Sequence, residues 1–362
     1  MMGRRDAARS RFGSQAQIRE HAKTRLAAEL WDWMQAGAGD QLTLAENTGA
    51  FAGLRFRPRY MRGISKAAVE TSFLGVPLSL PVLTAPFGCD TLFHPQGHLA
   101  VASACAQFGT ASLIPEACGH TLERIAAQAP AAARFFQIAV GGDEAHFLDL
   151  ARRAQAAGYT GICVLIDSPV VGWKDGIRGN GFNPDPASAI ANYGPEIRTT
   201  SDIYARRTAS GGGAWDWDRL SSVARQIDMP FVVKGALTPE DALAAEACGA
   251  SGVIVSNLGG RSLDAVPASL TQLPAIAQAL DKRIAVALDS GIRRGSDILK
   301  ALALGADVVV LGRLTIHALA ADGEAGVLRM LELLKEELET TMLLAGVADV
   351  RAVGADVLMP AG

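Results

Sequence analysis

Apolar and polar positions along the chain follow a repeating rhythm. Short apolar runs occur at Leu80–Pro86, Thr110–Ile114, Arg134–Val140, Gly161–Ile166, Pro230–Val233, Gly252–Val255, Ile284–Leu288 and Val308–Leu311. Each has strand length, and most are apolar throughout, as strands buried on both faces must be. Between them lie stretches with helical periodicity, among them Phe147–Ala157, Pro239–Ala247 and Gly295–Leu304. Repeated βα units predict a parallel sheet, and eight of them predict a closed (β/α)8 TIM barrel. The expected organisation is a helical extension over residues 1–70, the barrel over 71–350 and a tail over 351–362. A long segment, Val170–Trp215, separates the fourth and fifth runs. It is rich in Gly, Asn, Pro and Ser and reads as a lid or a partly disordered loop.

Composition narrows the function classes. The chain has 362 residues, 49% of them hydrophobic, enough for one large core. No apolar stretch reaches the roughly 18 residues of a membrane-spanning helix. A formal net charge of −3 gives no electrostatic case for nucleic acid or an anionic membrane. The five cysteines (Cys89, Cys105, Cys118, Cys163 and Cys248) are scattered, with no CxxC pair. That argues against disulfides and zinc and for a reducing compartment, so a cytoplasmic enzyme of small molecules is expected. The Arg- and Ala-rich N-terminus lacks the apolar core of a secretory signal.

Barrel active sites lie at the C-terminal ends of the strands. There the chain presents Gln137, Asp167, Lys234, Ser256-Asn257, Asp289 and Gly312-Arg313. Any one could be an ordinary polar strand end, but together they predict a functional rim. The last two strands run into Asp289-Ser290-Gly291-Ile292-Arg293-Arg294-Gly295 and Gly312-Arg313. Glycines that let backbone N–H groups approach, a helix N-terminus and arginine forks are the parts of a phosphate site. Lys234 ends a buried strand and needs a negative partner. Nucleotide and sugar phosphates would also fit the phosphate loops, but the Lys234–Gln137 pair favours a flavin, whose N1–C2=O edge would meet the lysine and whose polar ring edge would meet Gln137.

At these residues the chain resembles the FMN-dependent 2-hydroxy-acid oxidase and dehydrogenase family, which includes glycolate oxidase, lactate oxidase and mandelate dehydrogenase. The resemblance spans about residues 29–348 and is most specific at Val232–Gly235, Ser256–Asp264, Asp289–Gly295, Ala301–Asp307 and Gly312-Arg313. It implies FMN as cofactor and a homo-oligomer, a tetramer in many members. It places Lys234, Gln137 and Ser256 at the ring, and Asp289, Gly291, Arg293, Gly312 and Arg313 at the phosphate. Pro86, Phe87 and Gly88 would line the flavin face. Arg261 matches the arginine that grips the substrate carboxylate, and Asp167 the aspartate that orients a catalytic histidine.

The departures from the family lie on the substrate side. The family reads Ser-Asn-His-Gly-Gly-Arg; here the histidine position is Leu258. That histidine removes the hydroxyl proton of a 2-hydroxy acid, and leucine has no lone pair to accept one. Two substrate-contacting tyrosines are expected to be replaced by Trp31 and Ala139. The cofactor half is kept and the substrate half rewritten, which predicts an oxidoreductase with an atypical substrate, an amine or a larger, less polar biosynthetic intermediate. A flavin-dependent isomerase or lyase and a non-catalytic FMN-binding protein are the alternatives. Asp167 is expected either to pair with Arg261 or to act as a base, with its pKa raised by apolar surroundings. Glu116 either reaches the pocket rim or is a solvated loop carboxylate. His94, His120 and His317 read as structural, and Cys89 and Cys118 as inert.

Overall fold

In a computed structural model, residues 11–208 and 214–360 are described. The first and last residues of the chain and 209–213 of the long segment lie outside that range. Eight parallel strands close into a barrel: β1 (Val82–Thr84), β2 (Ala111–Pro115), β3 (Arg134–Ala139), β4 (Gly161–Leu165), β5 (Phe231–Ala236), β6 (Gly252–Val255), β7 (Ala285–Asp289) and β8 (Val308–Leu311). They lie in sequence order, and β8 returns to β1 with Val309 opposite Val82. Every apolar run of the sequence falls on one of them. The interior is filled by side chains such as Leu83, Leu113, Phe135, Val232, Ile254 and Val310, so it is a packed core and not a pore. A hairpin, Thr71–Phe73 with Val76–Leu78, closes the floor, its Phe73 ring edge-on to Phe135 at 6.1 Å.

The pieces outside the barrel position the site. Helix α1 (Gln15–Arg25) lies on the long last helix, Arg313–Ala345; Gln15 Nε2 donates to Met330 O at 2.8 Å and Arg329 Nε to Phe12 O at 2.9 Å. Helix α2 (Ala28–Gln35) ends over the barrel mouth, and α3 (Leu42–Ala52) follows it. Segment 358–360 pairs antiparallel with Leu54–Phe56, so the end of the chain is tied to the extension.

The long segment after β4 is folded where it is described. It carries short helices at Asp175–Asn180 and Thr200–Thr208 and lies on the barrel mouth. Gly141 and Gly142 permit this approach: a Cβ on either would come within 2.8 Å of the backbone oxygen of Arg207 or Arg206. Asn192 is clamped from both sides. Its Nδ2 donates to Glu116 O at 3.0 Å and its Oδ1 accepts from Leu122 N at 2.9 Å. These contacts make the segment a lid.

Candidate active site

A cavity of about 510 Å³ opens at the C-terminal ends of the strands, between the barrel, the end of α2 and the lid. Its cofactor side is built chiefly from β5 to β8, with Gln137 from β3 and Pro86–Gly88 after β1. Lys234 is buried at the end of β5, where a bulge at Gly235 (φ +112°) shifts the register. Only glycine fits there, since a Cβ would lie 2.6 Å from Asp167. Lys234 Nζ donates to Ser256 Oγ and pairs with Asp289 Oδ2, both at 2.8 Å, and Ser256 Oγ donates to the same carboxylate oxygen at 2.8 Å. Burial opposes the lysine's charge, but Asp289 and then Asp167 outweigh it and hold its pKa above the ordinary value. The ammonium is therefore fixed beside the cavity wall. Gln137 also lines the wall, and its side-chain amide makes no hydrogen bond among the described residues.

The anion-binding end holds buried Arg313 and half-buried Arg293, neither in an ion pair among the described residues. Arg313 donates to Gly259 O at 2.9 Å and Gln35 O at 3.3 Å, while its buried Nε has no partner. Burial, followed by Arg261 and Arg293, lowers its pKa to about 9. Arg293 is lowered by burial as well, and its guanidinium donates only to Ile292 O. Among the described residues no carboxylate pairs with Arg293, Arg313 or Arg261. A Cβ at Gly312 would meet nothing within 4 Å, so a ligand can reach the backbone there. An orphaned guanidinium nitrogen, open backbone and uncompensated positive charge fit a phosphate. Lys234, Gln137, Gly312 and Arg313 are thus placed to hold FMN, with Pro86, Phe87 and Gly88 on the same wall.

Ser256, Gly291 and Arg293 do not line the cavity; they stand behind it. At Gly291 the need for glycine comes from packing. With φ +88°, its Cβ would strike Asn47 O at 2.0 Å, so close approach by α3 requires the missing side chain.

The substrate side differs from the sequence expectation at several points. Trp31 does not line the cavity. It is buried against His317, ring centroids 5.4 Å apart, and the residue at the wall is Trp33. Two positions along a helix turn the side chain by roughly 200°, so only one of the two can face the mouth. Ala139 is also off the wall, and its N–H donates to Glu116 Oε1 at 3.3 Å. Glu116 is no solvated loop carboxylate. It is 3% exposed, lines the cavity and pairs with Arg207 of the lid at 2.7 Å.

Asp167 and Arg261 do not pair. Arg261 Nη1 donates to three carbonyls at the end of α2, Trp33, Met34 and Ala36 at 2.7–3.0 Å, and its guanidinium lies 5.3 Å from the Trp33 ring centroid. Burial lowers its pKa to about 10. Both Asp167 carboxylate oxygens are buried without a hydrogen bond, and burial raises its pKa to about 6 against the pull of Lys234. Asp167 does not line the cavity.

Leu258 does, in a turn of three consecutive left-handed residues (Leu258 φ 55°, Gly259 66°, Gly260 72°), with its N–H on Ser256 Oγ at 3.1 Å. A bulky residue in that region is strained by about 1 kcal/mol or more. No histidine lines the cavity among the described residues. Cys89 does, but burial pushes its thiol up to about 11, and burial also raises Cys118 well above the usual thiol value; all five cysteines are free.

Residues 22–360 match the FMN-dependent dehydrogenase family. The chain belongs to that family. It is 38% identical to glycolate oxidase 3 of Arabidopsis thaliana over 92% of each chain. It is 37% identical to an L-lactate oxidase of Nostoc sp., over 92% of this chain and 94% of that protein. Among solved structures, a mandelate oxidase with (S)-2-phenylpropionate superposes with a TM-score of 0.87 at 35% identity, covering 97% and 98% of the two chains. A Pediococcus acidilactici lactate oxidase gives 0.89 at 33%, covering 97% and 95%. The protein is thus an FMN-dependent member of the 2-hydroxy-acid oxidase superfamily with a (β/α)8 barrel.

Sequence reasoning missed three residues of this family member's cavity. Trp33 lies two positions along α2 from Trp31, on the helix face toward the mouth. Lys174 follows Trp173 in the lid; its Nζ donates to Gly172 O at 3.0 Å, and burial, then Arg261, lowers its pKa to about 8. Arg207 lies about 40 residues past β4 on a polar helix and carries no local signal of burial.

Proposed function

We propose that the protein is an FMN-dependent oxidoreductase whose substrate is a carboxylate with a large apolar group and nitrogen, not a free hydroxyl, on the reacting carbon. The observation that carries this reading is the leucine at position 258, in a cavity with no lining histidine. When bound, FMN supplies a two-electron acceptor. Oxidation of a hydroxyl carbon needs a base for the hydroxyl proton, and Leu258 offers none. Asp167 is off the cavity wall. A neutral amine has no hydroxyl proton to lose.

Two features support the rest of the substrate class. Arg261 and Lys174 bring half-buried positive charge to the cavity with no ion-paired carboxylate among the described residues, which suits a substrate carboxylate. Trp33, Phe87, Phe93, Leu165, Phe182 and Leu258 supply an apolar wall, with Trp33 stacked near Phe93 at 6.2 Å and Phe182 at 5.8 Å. Mixing the purified holoenzyme anaerobically with candidate substrates tests the reading. The visible flavin band is expected to persist with glycolate, lactate and mandelate and to bleach with aryl-substituted amino acids. Bleaching by the 2-hydroxy acids would sink it.

A further inference from the structure

We infer that Glu116 is the group that binds the substrate's nitrogen as an ammonium and takes a proton from it. The inference rests on the function proposed above. Among the described residues two acids line the cavity, Asp289, which is committed to Lys234, and Glu116, which is paired with Arg207 of the lid.

Glu116 is held on every side. Its N–H donates to Gln137 O at 2.9 Å, and its carbonyl accepts from Asn192 Nδ2 at 3.0 Å. Its Oε1 accepts from Arg207 Nη2 at 2.7 Å and Ala139 N at 3.3 Å. Among the described residues no hydrogen bond to Oε2 is formed, and the Tyr193 phenol, itself without a bonded partner, stands beside the carboxylate. A carboxylate fixed this way needs no reorganisation to receive a cation.

The surroundings hold the Glu116 side chain in place. Arg207 is itself buried, and its other nitrogen donates to Ser168 O at 3.1 Å, so the lid is pinned to both the β2 and β4 ends. The Tyr193 phenol beside the pair is pushed well up, by burial first and then by the Glu116 charge, and stays neutral. The pair also occupies the region that Ala139 leaves open, where the family resemblance places a tyrosine. A polar wall has thus been rebuilt from a strand end and a lid residue, with an acceptor in place of a hydroxyl.

The proton step needs no external reagent. One N–H bond of the ammonium breaks, its electron pair stays on nitrogen, and the proton passes to Oε2, leaving a neutral amine and a neutral carboxylic acid. Arg261 and Lys174 take the substrate's carboxylate, so an amino acid finds both of its charges matched.

The test compares ligands that differ only in the nitrogen. L- and D-phenylalanine and 3-phenylpropionate would be titrated into the holoenzyme, with perturbation of the flavin spectrum and calorimetry as readouts. One enantiomer is expected to bind about tenfold tighter than 3-phenylpropionate, the size of a modest charge-assisted hydrogen bond. Glu116→Gln should bring the two within about twofold while leaving 3-phenylpropionate nearly unchanged. Equal binding by the wild type, or a preference that survives Glu116→Gln, overturns this inference and leaves the carboxylate site standing. If neither ligand binds the wild type, the proposed substrate class fails and takes the inference with it. Should Glu116→Gln lose FMN or fail to fold, the paired variant Glu116→Gln/Arg207→Gln, which keeps a neutral contact, decides: a preference retained there overturns the inference.

Discussion

The two sides of the cavity are built differently. The cofactor side takes its side chains from the ends of barrel strands, chiefly β5 to β8 with Gln137 from β3, and Lys234, Ser256 and Asp289 bond one another directly. The substrate side joins parts that are distant in sequence: Trp33 from the extension, Glu116 after β2, Lys174 and Arg207 from the lid, and Leu258 and Arg261 after β6. A barrel holds its strand ends in fixed relation, so the first constellation follows from topology. The second depends on how the lid and the extension dock, and there a replaced residue can be compensated from another element. The pairing of Glu116 with Arg207, next to Ala139, is such a case.

The largest test of this contrast is Leu258→His. If only the base separates this cavity from a 2-hydroxy-acid oxidase, the variant should raise oxidation of mandelate or lactate by about 10²–10⁴-fold, the usual worth of a positioned base. Steady-state assays with both acids would show it. No gain would mean that the rebuilt wall, not the missing imidazole, sets the substrate.

Lys234→Met probes the rigid side. It leaves Asp289 buried without its cation, which should destabilise the fold by about 3–5 kcal/mol and release FMN. Urea unfolding and the flavin-to-protein ratio measure both. A stable variant that retains FMN would show the cofactor side to be less interdependent than its bonding implies.

Asp167→Asn follows from the orphaned carboxylate. The folded protein binds this proton more tightly than the unfolded chain, because the pKa rises from 3.8 to about 6. Asp167 therefore does not disfavour folding below about pH 4 and disfavours it progressively as the pH rises through 6. Relative to wild type, the asparagine variant should gain up to about 3 kcal/mol between pH 4 and pH 7.5. Unfolding curves at the two pH values that shift in parallel would contradict this.

The smallest effect separates two tryptophans. Trp33→Leu removes the ring under Arg261 and should weaken carboxylate binding by about 1 kcal/mol, roughly fivefold in Kd. Trp31→Leu should leave Kd unchanged and lower stability instead. The opposite pattern would return Trp31 to the cavity.

The barrel and most of the cofactor side were legible because their signals are local. A strand buried on both faces must be apolar throughout, and each of the eight runs became a barrel strand. Lys234 was conspicuous because a lysine ending such a strand demands a negative partner, and Asp289 is that partner within the protein. Trp31 and Trp33 could not be separated by eye, since α2 packs against the last helix on one side and the mouth on the other. Glu116 and Arg207 looked like ordinary loop and surface charges, because nothing in their own neighbourhoods records that they meet.

By itself, then, the sequence determined the eight-fold βα repeat, the strand-end chemistry and the loss of an imidazole at position 258, all properties of a residue and its near neighbours. Only the tertiary structure decided which tryptophan faces the cavity, that Gly291 serves packing, that Asp167 and Arg261 stay apart, and that a lid arginine fixes Glu116 in the wall. The physical reason is range. Strand burial and backbone conformation are set within a few residues, whereas a buried ion pair exists only once two segments, 91 positions apart here, have closed over each other and excluded water.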